Sequence, residues 1–217
     1  MVETSGITNK RIQKFVWRRC CFYLLQKGER MKLLLTGTPG TGKTTLAKML
    51  GKKWNALVVN EHGFAEKNRL GKADGNSGEL VLDVVKLEKK LNAFIADFDG
   101  KGKTPEKSKF KKIKSKKNVQ KNKPKNLIIE GHVVSEAKLN VDQVLVLRTS
   151  IPVLWKRLER KRYSAEKVFD NLSCEAMDYC GGKALKNYPA EKVFEIWNDK
   201  GLKDAERIIL TKLKGLK

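Results

Sequence analysis

The sequence predicts an α/β fold in which a five-stranded parallel sheet carries helices on both faces, and three observations lead there. Residues 37–44 read Gly-Thr-Pro-Gly-Thr-Gly-Lys-Thr and match G-x-x-x-x-G-K-[ST], the phosphate-cradling Walker A pattern of P-loop NTPases. The motif stands between an apolar run, Lys32-Leu33-Leu34-Leu35, and a run of good helix formers, Thr45-Leu46-Ala47-Lys48-Met49-Leu50. Strand, glycine loop and helix in that order are the setting the motif requires. Short apolar runs then alternate with helix-period segments to the end of the chain, the pattern of a parallel sheet covered on both sides.

The elements follow in order. Residues 1–30 read as a basic N-terminal extension holding an amphipathic helix near Lys10–Leu25, and the P-loop domain spans 31–217. That extension is either an appendage without a role of its own or a contact for nucleic acid or a membrane surface. Ala56-Leu57-Val58-Val59 is the second strand. Residues 60–80, with Gly63, Gly71, Gly75 and Gly78, read as a mobile substrate loop with a short helix. Lys86–Phe98 has helical spacing at Leu87, Leu91 and Phe94. Leu127–Glu130 and Val144–Leu147 are the third and fourth strands. Pro152 opens a helix to about Lys161, at the first-turn position where proline is tolerated. Ala165–Cys180 reads as one helix, capped by Ser164 and stopped by Gly181-Gly182. Val193–Trp197 is the fifth strand and Lys203–Leu213 the closing helix.

The residue types in the loop state its chemistry. Gly37, Gly40 and Gly42 let the backbone curl so that successive N–H groups of the loop, which includes Thr41, face a phosphate. The positive end of the following helix adds to that attraction. Lys43 is placed to reach the β- and γ-phosphates of ATP, Thr44 to ligate Mg²⁺, and Thr45 to donate toward the α-phosphate. Glu130 closes the third strand, where a carboxylate supports Mg²⁺ or its water, and Glu130-Gly131-His132 projects His132 into the same crevice as a catalytic or positioning group. Arg148, Arg157, Arg160, Lys161 and Arg162 form a second constellation. Phosphoryl transfer leans on cations that clamp the moving group, so Arg157, Arg160, Lys161 and Arg162 are expected at the nucleotide, the last three in a lid over 160–170.

The net charge of +23 is uneven. Residues 101–126 hold twelve lysines against one glutamate, and residues 1–30 hold seven basic residues against two glutamates. The extreme basicity therefore belongs to two segments, and the Lys-rich insert at 99–126, between a helix and the third strand, has the composition of a disordered segment. It precedes the third strand, at the sheet's amino edge, whereas nucleotide binds at the carboxyl edge, so it is not expected to act as a lid. Cys20, Cys21, Cys174 and Cys180 show no C-x-x-C and no zinc spacing, as expected of reduced thiols in a cytoplasmic protein. The apolar stretch at 15–25 is broken by Arg18 and Arg19 and is too short to span a bilayer, and no export signal is expected.

Several segments together resemble the adenylate kinase isoenzyme 6 family, small P-loop kinases linked to small-ribosomal-subunit maturation. They are Leu35–Leu46 around the loop, Glu130-Gly131-His132, Val144–Thr149, Val153–Tyr163 and Asp170-Asn171-Leu172-Ser173-Cys174-Glu175. The resemblance covers about 31–98 and 127–213. It implies an adenylate-kinase-like fold with a monophosphate-binding region over 60–83 and a short lid at 160–170. It implies phosphorylation of a nucleoside monophosphate, AMP foremost, by Mg-ATP, together with ATPase activity. It also implies a transient partnership with a small-subunit ribosomal protein and pre-rRNA, in the cytoplasm or, in a eukaryote, also the nucleus, and a monomer away from membranes. The family's carboxylate-x-histidine motif falls on Glu130 and His132. The chain departs from the family at Glu130, where Asp is common, at Lys161, where Arg is expected, and in the Lys-rich insert. Other readings are a dedicated assembly ATPase with incidental kinase activity, a generic small-molecule P-loop kinase, and an RNA-associated module with a vestigial nucleotide site.

The insert makes a test of its own. If six of its lysines neutralise RNA phosphates, affinity falls on the order of 10³-fold between 50 and 200 mM salt. Filter binding at graded salt checks this, and deletion of 101–126 is expected to flatten the response.

Overall fold

The structure is a computed structural model that describes residues 30–73, 75, 80–100 and 124–214. Parallel strands β1 (Lys32–Thr36), β2 (Ala56–Asn60), β5 (Asn126–Glu130), β6 (Gln143–Arg148) and β7 (Val193–Trp197) form a five-stranded sheet in the order β2-β5-β1-β6-β7. Two short strands, β3 (Gly71–Ala73) and β4 (Leu80–Leu82), pair antiparallel apart from it. This is the α/β P-loop fold that the sequence predicts.

Alternation along each strand sorts the core. Leu33, Leu35, Ile128, Leu145 and Leu147 point to one face, where helices α1 (Lys43–Lys53) and α7 (Leu202–Lys214) cover them with Leu46, Leu50, Ala205 and Ile209. Leu34, Leu127, Ile129, Val144 and Val146 point to the other. There α2 (Glu61–Asn68), α3 (Val84–Phe98) and α6 (Tyr179–Asn187) supply Phe64, Leu87, Leu91, Ile95 and Ala184. Because inner strands are buried on both faces they read as continuous apolar runs, and every residue of β5 is buried. Each fully buried leucine contributes about 1.5–3 kcal/mol relative to exposure. The remaining helices are α4 (Ile151–Glu159) and α5 (Ala165–Ala176).

The chain differs from its sequence reading in three places. After β2 the expected short helix is α2, which Asn60 caps by accepting from Gly63 N at 2.9 Å, and the strands β3 and β4, absent from the sequence reading, follow it. Helix α3 starts at Val84, two residues early, because the Asp83 side chain caps it through Lys86 N. Gly181-Gly182 do not stop a helix. The break comes earlier, at Asp178, whose φ of 52° is left-handed, and α6 then runs through both glycines. A Cβ on Gly181 would stand 2.3 Å from Asp178 Oδ1, so a side chain there would have to displace that carboxylate. The basic helix near 10–25 and the body of the Lys-rich insert lie outside the described residues. The residues flanking the insert sit at the sheet's amino edge: Asp99 meets Lys32 Nζ at 2.7 Å, and Lys125 N donates to Asn55 O. Among the described residues no helix is long and apolar enough to cross a membrane.

Tyr188, just after α6, pins the connection into β6. Its hydroxyl donates to Ala137 O at 2.9 Å and accepts from Leu139 N at 2.8 Å. Tyr188→Phe leaves both groups short of a partner and is expected to cost about 1–3 kcal/mol in urea unfolding. Burial also raises the phenol to about 12 from 10.0. The unfolded chain therefore releases this proton first, so wild-type stability is expected to fall between pH 10 and about 12, and Tyr188→Phe to lose that contribution.

Candidate functional site

The strand order reverses direction at β1 and β5, and their carboxyl ends open the crevice where ligands of such sheets bind. The Walker A loop leaves β1 there. Gly37, Gly40 and Gly42 have φ of 140°, 97° and 104°, values that side chains other than glycine rarely adopt. A Cβ on Gly37 would also stand 2.2 Å from the Leu147 carbonyl oxygen, so the loop is pressed onto β6 as well as bent. Gly42 caps the 11-residue α1 without a side-chain acceptor. Its first-turn N–H groups thus keep the donors that receive a phosphate.

Inside the loop the Thr38 carbonyl is a hub. It accepts from Thr41 N at 3.3 Å, Thr41 Oγ1 at 2.9 Å and Lys43 Nζ at 3.0 Å. Burial pushes the Lys43 ammonium below its ordinary pKa, opposed by Cys180, Glu61 and Glu130, while Lys161 adds repulsion. Thr44 and Thr45 are exposed in the first turn of α1.

Glu130 stands where the sequence places it, and its carboxylate is buried. Thr44 Oγ1 donates to Glu130 Oε2 at 3.1 Å and Asn60 Nδ2 to Oε1 at 2.5 Å. Register explains the meeting, since Glu130 pairs with Leu35 of β1 and with Asn60 of β2. A hydroxyl and a carboxylate side by side at the phosphate loop are the hard oxygen donors that Mg²⁺ takes, with water and phosphate oxygens completing its shell. The residues present fit that ion.

His132 is half-exposed, and its setting holds a residue that sequence reasoning missed. Glu61, 3% exposed, accepts from the backbone N–H of His132 (2.9 Å), Val133 (3.3 Å) and Val134 (2.8 Å). His132 Nδ1 lies 3.0 Å from Glu61 Oε1. An ionised carboxylate only accepts, so Nδ1 carries the proton and Nε2 is left as the ring's acceptor. Burial opposes the charge on Glu61, but the His132 hydrogen bonds outweigh it and hold the carboxyl below its usual range. Gly131 is what admits this carboxylate, because a Cβ there would fall 2.1 Å from it. The available signal was an acid directly after a strand's carboxyl end, the same placement that singled out Glu130.

The cations divide. Arg157 donates to Thr41 O (3.4 Å), Thr149 Oγ1 (3.2 Å) and Asn198 O (2.6 Å), so it reaches the loop through protein groups. Burial pushes its pKa down, against the attraction of Asp199. Asn198, buried after β7, donates to Thr41 O at 2.7 Å and was also missed. Arg148 is bound into the protein interior by Glu175 and Asp178. Arg160, Lys161 and Arg162 are exposed in the turn between α4 and α5, where the Lys161 ammonium sits 5.5 Å over the Tyr163 ring.

Glu61→Gln keeps the shape and removes the charge facing three N–H groups and an imidazole. It is expected to cost about 1–3 kcal/mol at neutral pH. Because the folded carboxyl lies below 4.5, its contribution is present above that pH and is lost as pH falls through the folded value. Denaturant unfolding from pH 7 downward checks both, with the variant giving the flatter acid limb.

Comparisons with known proteins bear on the family and the fold. A family model described as an AAA domain matches residues 33–178. A protein of Methanosarcina mazei named "Putative adenylate kinase" is 33% identical over 187 residues, covering 82% of this chain and 87% of its own length. A protein of the same name from Methanocaldococcus jannaschii is 31% identical over 180 residues, covering 82% of each. The solved structure of a sugar kinase from Janibacter sp. HTCC2649 is 14% identical with a TM-score of 0.55, over 85% of this chain and 95% of its own, a likeness of fold. The chain belongs to the AAA-domain family and to the adenylate-kinase-like P-loop family that these archaeal proteins represent.

Proposed function

We propose that the protein is an ATP-dependent nucleoside-monophosphate kinase that converts ATP and AMP to two ADP. The observation that carries this reading is the 3.1 Å contact of Thr44 Oγ1 with Glu130 Oε2, beside a buried loop lysine and a half-exposed histidine. In this reading the β- and γ-phosphates draw Lys43 from the Thr38 carbonyl, and the α1 N-terminus takes the remaining charge. Thr44 and Glu130 would hold Mg²⁺, which supplies charge neutralisation on the phosphate oxygens. Residues 60–83, which begin with Asn60 at the same strand edge, would receive the monophosphate. Its phosphate oxygen attacks the γ-phosphorus, the bond to the bridging oxygen breaks, and the lid cations Arg160, Lys161 and Arg162 steady the charge in transit.

The Glu61–His132 pair favours a second activity on the same site. A histidine with Nδ1 held by a carboxylate and Nε2 free is the arrangement that orients and deprotonates a nucleophile. With water in place of AMP the product is ADP and phosphate, the ATPase activity that the isoenzyme 6 resemblance implies. That resemblance also supports a role in small-subunit maturation, with a ribosomal protein and pre-rRNA as transient partners, for which the two basic segments supply the charge.

ADP formation from Mg-ATP, with and without AMP, tests the proposal. AMP-dependent ADP formation is expected, falling at least about 10²-fold in Lys43→Ala, since loss of a single phosphate-directed donor already removes that much. His132→Ala is expected to reduce AMP-independent phosphate release more than nucleotide affinity. Phosphate release indifferent to AMP would favour a dedicated assembly ATPase, and full activity in Lys43→Ala would overturn the site.

A further inference from the structure

A second buried carboxylate touches the P-loop, and it comes from the far end of α5. Glu175 is 3% exposed in the last turn of that helix. Its Oε2 accepts from Thr38 Oγ1 at 2.5 Å, and Oε1 accepts from Arg148 Nε at 2.8 Å and Thr149 N at 3.0 Å. Its backbone oxygen accepts from Arg148 Nη2 at 3.0 Å. Arg148 is itself held, with Asp178 at its guanidinium and its centre 5.2 Å over the Trp197 ring. Burial works against that charge, but Glu175 and the other acids outweigh it and raise its pKa. The carboxylate is thus clamped at the carboxyl end of β6.

Thr38 is consequently fixed from two sides. Its hydroxyl is anchored to Glu175, and its carbonyl is the hub that holds Thr41 and Lys43. The side chain is 1% exposed, so water cannot substitute for the anchor. The same α5, capped by Ser164, starts at Ala165 just after the turn that carries Arg160, Lys161 and Arg162, and at 1.5 Å per residue spans about 18 Å from that turn to the anchor.

We infer that Glu175 is a positioning residue for nucleotide: by holding the Thr38 hydroxyl it sets the P-loop geometry around Lys43 and couples that geometry to the helix behind the lid. This rests on the reading of the P-loop as the Mg-ATP site. Glu175 is separated from the crevice by Thr38, so its effect on affinity passes through the loop. A carboxylate that served only to neutralise Arg148 would leave nucleotide affinity alone.

The test measures Mg-ATP and AMP affinities calorimetrically on the full chain, beside the Tm, for Thr38→Val, Thr38→Ser, Glu175→Gln and the Thr38→Val/Glu175→Gln pair. Thr38→Val is expected to weaken Mg-ATP about tenfold, the size of one charge-assisted hydrogen bond expressed in binding. Thr38→Ser, which keeps the hydroxyl, is expected to bind within about twofold of wild type. The double variant should be no weaker than the weaker single one, because both remove the same link. AMP affinity should stay within about twofold throughout. Wild-type Mg-ATP affinity in Thr38→Val and Glu175→Gln with only the Tm lowered, or additive losses in the pair, would overturn the inference. If Thr38→Val does not fold, hydrogen exchange on the wild type decides: Mg-ATP should slow exchange across 165–176, and unchanged exchange there overturns the coupling. Failure of the wild type to bind Mg-ATP would overturn the proposed function and this inference together, whereas unmoved variants of a binding wild type overturn this inference alone.

Discussion

Five parallel strands end at one edge, and everything at the candidate site depends on how buried charge is satisfied there. Parallel pairing sends each strand's last residue to the same rim, so Thr36, Asn60, Glu130 and Arg148 arrive there from distant parts of the chain. Two of these carry charge and are buried. A buried charge without partners costs several kcal/mol, so each position of the rim constrains its neighbours.

Three carboxylates show how that constraint is met. Glu130 is satisfied by Thr44 and Asn60, Glu61 by the backbone and imidazole of 132–134, and Glu175 by Thr38, Arg148 and Thr149. Each joins elements that apolar packing alone would leave free to slide, because hydrophobic burial is non-directional whereas a hydrogen bond fixes distance and angle. The core of leucines and isoleucines on both sheet faces supplies the bulk of the stability. The acids decide where the P-loop, the β5 exit and the α5 end stand relative to one another.

The same arrangement separates two jobs among the cations. Arg148 and Arg157, both on elements flanking the loop, spend their donors on protein carboxylates and carbonyls. The exposed Arg160, Lys161 and Arg162 sit in a turn between two helices, where a change of position disturbs little packing. Arg148 and Arg157 brace the site through protein groups, whereas the other three face solvent.

Features set within a few residues were legible in the sequence. The loop glycines, the buried apolar strands, Pro152 at a helix start, Ser164 as a cap and Glu130 at a strand's end each follow from local backbone chemistry. The helix break was misplaced because Gly181-Gly182 look like a stop signal, whereas the chain turns at Asp178, a non-glycine residue in the left-handed region whose type gives no such signal. Glu61, Asn198 and Glu175 looked like ordinary polar residues because their partners lie 71, 157 and 137 positions away in the chain. The sequence by itself determined the fold class and the phosphate loop, since strand, glycine turn and helix are encoded by neighbours. Which acid faces which donor was decided by the tertiary structure, because strand order and register choose those partners and local periodicity carries no trace of them.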